Sequence, residues 1–584
     1  MIVEMKHLTI LCTEASRKET VDSLQELGVL HLSNTMSPIN QTTPDFTSAE
    51  ADLNAAQKAL SIVKAIKKNT TFNGTVTPET ILNASDKISE IEEAISTLEH
   101  EISQYSPFGD FDPASATKLA DEGLPVTLFK VHGAIPAVAN GGFIKILFED
   151  ASEGLVYGVA IGSLEEGHRA EIISMPSRPL SETKSLLKQE KEKLLAAKAD
   201  LESYAGSDKQ LTEIISTRKV IRDFYAAEAA MGADAGIAWI TGFCPAEKLE
   251  KVEAAAKIHG WGIASREPYA DELPPTLLRP PRIFRPITAL FDMLGIAPSY
   301  YEADVSIVFY AFFTIFFAML VGDAGYGAII AVMTILARLK FKNANSAPFI
   351  LLGVFSSATI LWGVLSATYF GITKEMIPAW LKFPISEWIG NNSNIMQFCF
   401  FLGSLHLTVA RLWNAVKLWP DSKALAEIGW TGVVWTMYCV SCLVGVNGFV
   451  FPSFMWVVSP VSILLIFLFM LKRSELKTDG VTLGILPLNI MSCLGDIISY
   501  VRLFAVGLAS VMVAENFNQM AIDLSLPLAV KIPAVILILF LGHAMNFAMG
   551  ALSILVHAVR LNTLEFSIHK GISWSGFAYE PFRK

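Results

Sequence analysis

The stretch GDIISYVRLFAVGLASVMVAENF, residues 495 to 517, decides how the whole chain is read. It is apolar enough for a membrane helix, yet Arg502 stands near its middle. A charged side chain at the centre of a bilayer costs from about 3 to well over 10 kcal/mol. Arginine stays protonated even when buried, so it cannot relay a proton. Arg502 is therefore a fixed positive charge. Asp496, six residues away, is not a same-face partner on a helix, which leaves two readings: a structural ion pair, or a cation kept free for something outside its own helix.

Outward from this helix, composition divides the chain. It has 584 residues, a net charge of −10 and a mean hydropathy of +0.43. Roughly the first 280 residues are charged and rich in Lys and Glu, and the rest is dominated by Phe, Leu, Ile, Val and Trp. One soluble part and one polytopic membrane part is the simplest organisation. The opening MIVEMKHLTILCTEASRKE is too short and broken an apolar run for a secretory signal, so the soluble half is expected in the cytosol. Six scattered cysteines fit reduced thiols. Cys439 and Cys442 form a CxxC inside the apolar run GVVWTMYCVSCLVGV, where two thiols are expected to pack rather than bind metal.

The soluble half, residues 1–265, reads as two α/β lobes joined by a long antiparallel coiled coil. In MKHLTILCTEASRKETVDSLQELGVLHLSN a strand, a helix closed by Gly28 and a second strand follow one another. GIAWITGFCPAEKLEKVEAAAKIHGWGIASRE repeats that shape, so residues 1–48 and 232–265 are assigned to one lobe. The segments VTLFKVHGAIPAV and FIKILFEDASEGLVYGVAIG, β-rich with Gly turns, place the other lobe at 122–178. The coiled-coil tracts are 49–105 and 180–230. Ile88, Ile91, Ile95, Leu98 and Ile102 recur at three- and four-residue steps, and Leu187, Leu194 and Leu201 recur every seven. No phosphate-binding loop, HExxH, GxSxG or metal-spaced Cys/His cluster occurs. No cofactor, metal, nucleotide or nucleic acid is expected on this chain.

Residues 266–300 form a linker with six prolines between Pro274 and Pro298, which forbid a long helix. The membrane domain, 301–584, has eight apolar segments: 304–321, 325–338, 347–370, 394–416, 424–446, 450–471, 483–515 and 529–567. The last two are long and are expected to tilt or project. Positive charge clusters in alternate loops, at Arg338, Lys340 and Lys342, at Arg411, Lys417 and Lys423, and at Lys472, Arg473 and Lys477. It also precedes the first segment, at Arg279, Arg282 and Arg285, and follows the last, at Lys570, Arg583 and Lys584. This positive-inside pattern predicts both termini in the cytosol.

Polar residues inside the membrane mark function. His543, Asn546, Gly550, Ser553, His557, Arg560 and Leu564 follow three- and four-residue steps, a mostly polar stripe on one face of the last segment. Two His and an Arg on one stripe are expected to line a wet path. Asp323 in VGDAGYGAII marks a tight break between the first two segments, without the basic partner that phosphate binding needs.

These residues resemble a known family. SYVRLFAVGLA (499–509) is similar to the arginine-bearing helix of the membrane stator subunit of V/A-type rotary ATPases, called subunit a or subunit I. PPTLLRPPRIFRPITALFDMLGIAPSYYEAD resembles the family's linker, MLVGDAGYG its first hairpin, and VHAVRLNTLEFSIHKG with YEPF its last span and tail. The resemblance implies a non-catalytic subunit beside a rotor ring of carboxylate-bearing proteolipids, with two offset half-channels for H⁺ or Na⁺. It implies peripheral-stalk and ATPase-head partners for the cytosolic arm, surrounding lipid, and a multi-pass place in a prokaryotic plasma membrane. Arg502 would face the ring, with Arg560 as the second arginine and His557 and His543 on the ion path. Asp496, Ser499, Tyr500, Glu515, Asn546, Ser553, Glu565 and Asp323 are supporting polar candidates. Gly550 stands where eukaryotic relatives tend to carry an acid. The alternative is a secondary ion-coupled transporter with a cytosolic regulatory domain, which predicts an inverted repeat that the spans do not display.

Overall fold

The computed structural model describes residues 1–33, 43–66, 72, 74–132, 135–136, 138, 142–150, 154–162, 170–471 and 481–584. Lys472, Arg473 and Lys477 of the charge pattern lie outside these residues, as does Gly133 of a predicted turn. Two compact units are present. One comprises Leu11–Gly28, Ser33–Ile240 and Phe582–Lys584, the other Met1–Ile10, Val29–Leu32 and Thr241–Pro581.

β1 (Met5–Thr13), α1 (Arg17–Leu27) and β2 (His31–Leu32) open the chain, followed by α2 (Pro44–Ala65), α3 (Pro78–Tyr105) and α4 (Pro113–Asp121). Then come β3 (Val126–His132), β4 (Phe143–Asp150), β5 (Leu155–Ile161), β6 (Glu171–Ile173), α5 (Leu180–Ser203) and α6 (Asp208–Ala230). β7 (Gly232–Asp234), β8 (Ile237–Pro245), α7 (Leu249–His259) and β9 (Gly262–Arg266) complete the polar half. Thr43 caps α2 by accepting from the Phe46 amide, with Pro44 at the first helical position. In α3, Ile81, Ile88, Ile91, Ile95 and Leu98 are buried on one face. α3 packs along α5, where Leu187, Leu194 and Leu201 are half-buried. Lys191 pairs with Glu99 at 2.7 Å and Lys198 with Glu92 at 2.8 Å, so the two helices run antiparallel. α2 packs along α6 in the same unit.

One sheet is antiparallel in the order β4-β5-β3-β6. Strand alternation sends Leu128 to a cluster with Phe108 and Ile173, and Phe129 to the opposite face with Val131 and Ala160. A second sheet has the order β2-β8-β1-β9, with β7 beside β8. The proline-rich linker is stitched to two distant segments. Ile2 pairs with Leu278, and Thr276 forms a parallel bridge to Ala578 through Thr276 N–Phe577 O (2.8 Å) and Tyr579 N–Thr276 O (3.1 Å).

The apolar half contains α8 (Thr288–Leu294), α9 (Ser306–Val321), α10 (Ala324–Lys340), α11 (Ala347–Ser366), α12 (Ile385–Ile389), α13 (Asn392–Leu418), α14 (Lys423–Gly445) and α15 (Met455–Phe469). It ends with Leu486–Ser499, the arginine helix Val501–Ile522, and a terminal helix from Leu528 to Lys570 that includes two π-helical segments. Among the described residues, five helical runs are long and apolar enough to cross a membrane: Ala347–Ser366, Asn392–Leu418, Lys423–Gly445, Leu486–Ile522 and Leu528–Lys570. The eight-segment reading differs from this at three places. α9, α10 and α15 have 16, 17 and 15 residues. At 1.5 Å per residue they reach about 23 to 26 Å, less than the hydrocarbon core of about 30 Å. α9 and α10 meet at a bend of 118°, beyond a right angle, so α10 runs back toward the side α9 came from. Gly322 ends α9 in the left-handed region at φ 68°, and Gly363 lets α11 touch the start of α10: a Cβ there would lie 2.1 Å from the Ala324 amide. Phe309, Phe313 and Phe316 of α9 fill the main core with Tyr500, Leu503, Ala558 and Leu561.

Candidate functional site

Arg502 stands at the second position of the arginine helix, just after Tyr500 breaks it from Leu486–Ser499. Its Nη1 lies 3.5 Å from Oε1 of Glu565, and the Nε of Arg560 lies 3.4 Å from the same oxygen. The two arginines therefore converge on one carboxylate from opposite helices. Glu565 is 5% exposed, Arg502 26% and Arg560 52%. No hydrogen bond satisfies Arg502 Nη1, Glu565 Oε2 or Nδ1 of His557 among the described residues.

The backbone explains why Glu565 rather than Leu564 joins Arg560. The terminal helix is π-helical over Ile554–Ala558 and again over Leu561–Phe566. An i→i+5 hydrogen-bond pattern widens the turn and brings residue i+5 round toward the face of residue i, so Glu565 reaches Arg560, while Leu564 is 49% exposed. The α-helical period used on the sequence assumes 3.6 residues per turn and puts Leu564 there instead.

Asp496 does not pair with Arg502. Its Oδ2 accepts from Nε2 of His569 at 2.9 Å, and Arg411 Nε donates to Nδ1 of His569 at 3.1 Å. A ring nitrogen accepting from arginine leaves the proton on the other nitrogen, which fixes the His569 tautomer. Arg411 also pairs with Glu427 at 3.2 Å. Arg411, Glu427, Asp496 and His569 line a cavity of about 370 Å³.

A second network joins the other end. The hydroxyl of Tyr326 lies 2.8 Å from His543 Nδ1 and accepts from Asn546 Nδ2 at 3.0 Å. Ser510 Oγ donates to Asn546 Oδ1 at 3.1 Å, and His543 Nε2 lies 3.2 Å from Asn518 Oδ1. Asn518 donates to the carbonyls of Phe370 (2.7 Å) and Gly371 (2.9 Å), and the Gly371 amide donates to Asp323 at 3.2 Å. The other Asp323 oxygen caps α10, accepting from Gly325 N (2.7 Å) and Tyr326 N (3.3 Å). Gly550, with open space where a side chain would be, borders an apolar cavity of about 380 Å³ that Tyr326, Ser510 and Asn546 of this network also line. Ser553 is half-buried. Ser499 donates to the Asp496 carbonyl at 2.6 Å, and Glu515 lines a third cavity of about 240 Å³.

Sequence reasoning missed His406, Tyr326, Asn518, Arg411, Glu427 and His569 as members of these networks. His406 is fully buried, stacked between Phe312 at 4.0 Å and Phe566 at 4.5 Å, with Nδ1 at 2.9 Å from the Tyr500 hydroxyl. The available signal was an ionisable residue inside an apolar run, FFLGSLHLTVARLW, the same signal that picked out Arg502.

Fold and site together define a polytopic helical protein with a polar N-terminal half and an Arg–Glu–Arg cluster between its two longest apolar runs. No family model matches the chain. Similarity to known proteins runs along the whole chain. The V-type ATP synthase subunit I of Borreliella burgdorferi is 29% identical over 621 aligned positions, covering 100% of both chains. Subunit I 1 of the V-type ATP synthase of Treponema pallidum is 27% identical, again over 100% of both. The A-type ATP synthase subunit I of Methanocaldococcus jannaschii is 26% identical over 71% of this chain and 65% of its own. The chain is thus similar from end to end to subunit I of these two V-type ATP synthases, and over 71% of its length to that of the A-type enzyme.

Proposed function

We propose that the chain is the membrane stator subunit of a V/A-type rotary ATPase or ATP synthase, coupling H⁺ or Na⁺ movement to ATP turnover on other chains. The observation that carries this reading is Arg502, a fixed and partly exposed cation in the middle of a long apolar run. It is held by Glu565 at 3.5 Å without being saturated, in a chain homologous to subunit I from end to end. A ring carboxylate passing this cation is favoured in its ionised form, because an opposite charge within about 4–6 Å stabilises it. The ion is released into one half-channel and replaced from the other. The cavity lined by Arg411, Asp496 and His569 serves as the inner route, and Tyr326, His543, Asn546 and Asn518 as the outer one, with Glu515 and Asp323 at its mouth. His557, Ser553 and Arg560 lie between, and Ser499 and Tyr500 set the break before Arg502. The full-length similarity disfavours a secondary transporter.

The finer organisation follows the same reading. Residues 1–265 form a cytosolic arm whose antiparallel helices act as a coiled-coil strut between the peripheral stalks and the ATPase head, 266–300 the linker, and 301–584 the ion-translocating domain. The α9–α10 hairpin returns the chain to its starting side, and with α15 crossing as a short span the parity of eight spans is kept and both termini are cytosolic in a prokaryotic plasma membrane.

The test is ATP-driven acidification or sodium uptake in vesicles holding equal amounts of assembled complex. Arg502→Ala is expected to abolish it. Arg502→Lys should nearly abolish it, since a compact ammonium lacks the guanidinium fork. Arg560→Lys should be milder. Robust transport by Arg502→Ala overturns the reading.

A further inference from the structure

We propose that Glu565 sets the charge count of the ring-facing site, and that it does so as a stationary positioning carboxylate rather than as a carrier of the transported ion. The inference rests on the reading of Arg502 above. Three observations point to it. First, Glu565 is 5% exposed and lies behind two arginines that are themselves 26% and 52% exposed, so the ring side meets guanidinium and not carboxylate. Second, one Oε1 serves both arginines at 3.5 and 3.4 Å, while Arg502 Nη1 makes no hydrogen bond. Nη1 is itself buried against Glu565, so Arg502 is anchored electrostatically through that nitrogen, and of the five N–H donors of a guanidinium those on Nε and Nη2 are left for one more acceptor. Third, the carboxylate is delivered by a π-helical turn, a rare element that changes the face on which an ordinary helix would present it.

Counting permanent charges, two arginines and one glutamate leave a single positive charge. That matches one ring carboxylate: its arrival makes the site neutral, and its departure leaves only one cation uncompensated in the membrane. Without the Glu565 charge, two cations would face one carboxylate. The arriving group would then be held too tightly to leave, and every step between carboxylates would strand a double charge in lipid. Glu565 thus lets Arg502 catch a ring carboxylate and let it go.

The experiment compares ATP-driven ion transport by Glu565→Gln, Glu565→Asp and the double variant Arg560→Gln/Glu565→Gln, each at matched amounts of assembled complex. Glu565→Gln should lower the rate at least tenfold, and Glu565→Asp, which keeps the charge, should stay within about threefold of the native rate. The double variant restores one net positive charge and should recover at least threefold over Glu565→Gln. If Glu565→Gln does not assemble, the double variant still decides, since the charge count predicts that it assembles and transports. A merely structural brace would not be rescued by removing a second partner. Native transport by Glu565→Gln, or a double variant no better than the single, overturns the proposal. Either result with a dead Arg502→Ala leaves the stator reading standing, whereas an active Arg502→Ala brings down both.

Discussion

Asp323 illustrates how one residue organises several elements. It is 2% exposed, and its two oxygens accept from three backbone amides, two at the start of α10 and one in the loop after α11. Removing a cap costs about 1 kcal/mol, and stranding a buried amide adds about 1–3 kcal/mol. Asp323→Ala should therefore lower the melting temperature of the detergent-purified protein by several degrees. Asp323→Asn, which keeps one accepting oxygen, should lose less than half as much, and equal losses would contradict the cap. In the sequence, GDAGYG was legible as a break, since Gly and Asp have local turn chemistry. The Gly371 contact was not, because it joins residues 48 positions apart. The same limit hid His569 behind Asp496 and Glu565 behind Arg502. Each cation or carboxylate could be picked out alone as anomalous in lipid, but its partner lies on another helix.

Among elements, the α3–α5 pair shows which contribution dominates. The Lys191–Glu99 and Lys198–Glu92 pairs are about half exposed on both partners, so each is worth about 0–1 kcal/mol. The apolar face through Ile88, Ile91, Ile95 and Leu98 is more than nine-tenths buried, and burial of one such side chain contributes about 1.5–3 kcal/mol. Reversing Glu92 to Lys should leave the stability of the purified chain within about 0.5 kcal/mol of native. Ile95→Asp combined with Leu194→Asp should cost several kcal/mol by burying charge, and it should uncouple ATP hydrolysis from ion transport. Normal coupling in that double variant would remove the strut from the mechanism. Periodicity carried the sequence reading well here, because a buried seam on a regular helix repeats at a fixed interval. It failed at the end of the terminal helix, where two π segments alter the interval and hand the place of Leu564 to Glu565.

For the whole molecule, the loop charges and the α9–α10 reversal make one prediction about sidedness. In a background lacking the six native cysteines, Val450→Cys should react with an impermeant maleimide added from outside, and Lys342→Cys should react only after the membrane is opened. The opposite pattern would invert the topology. Composition alone separated a polar from an apolar half. It did not anticipate that Met1–Ile10 and Val29–Leu32 would be grouped with the apolar half. These segments are tied to the apolar half by a backbone bond, Val3 N to Leu277 O at 2.9 Å, and by a side-chain contact, His31 Nδ1 within 2.8 Å of the Glu580 carbonyl. The tail seam has a mechanical meaning. The chain that leaves the terminal helix meets Thr276 in a single parallel bridge, bonded on both sides of Ala578, and reaches His31 two residues later. A pull along the tail loads both hydrogen bonds of the bridge together, in shear, whereas a pull across it would open them one after the other. Drag on the helix that bears Arg560 and Glu565 is thus passed to the linker through the stronger of the two loading geometries, and the tail works as a tendon.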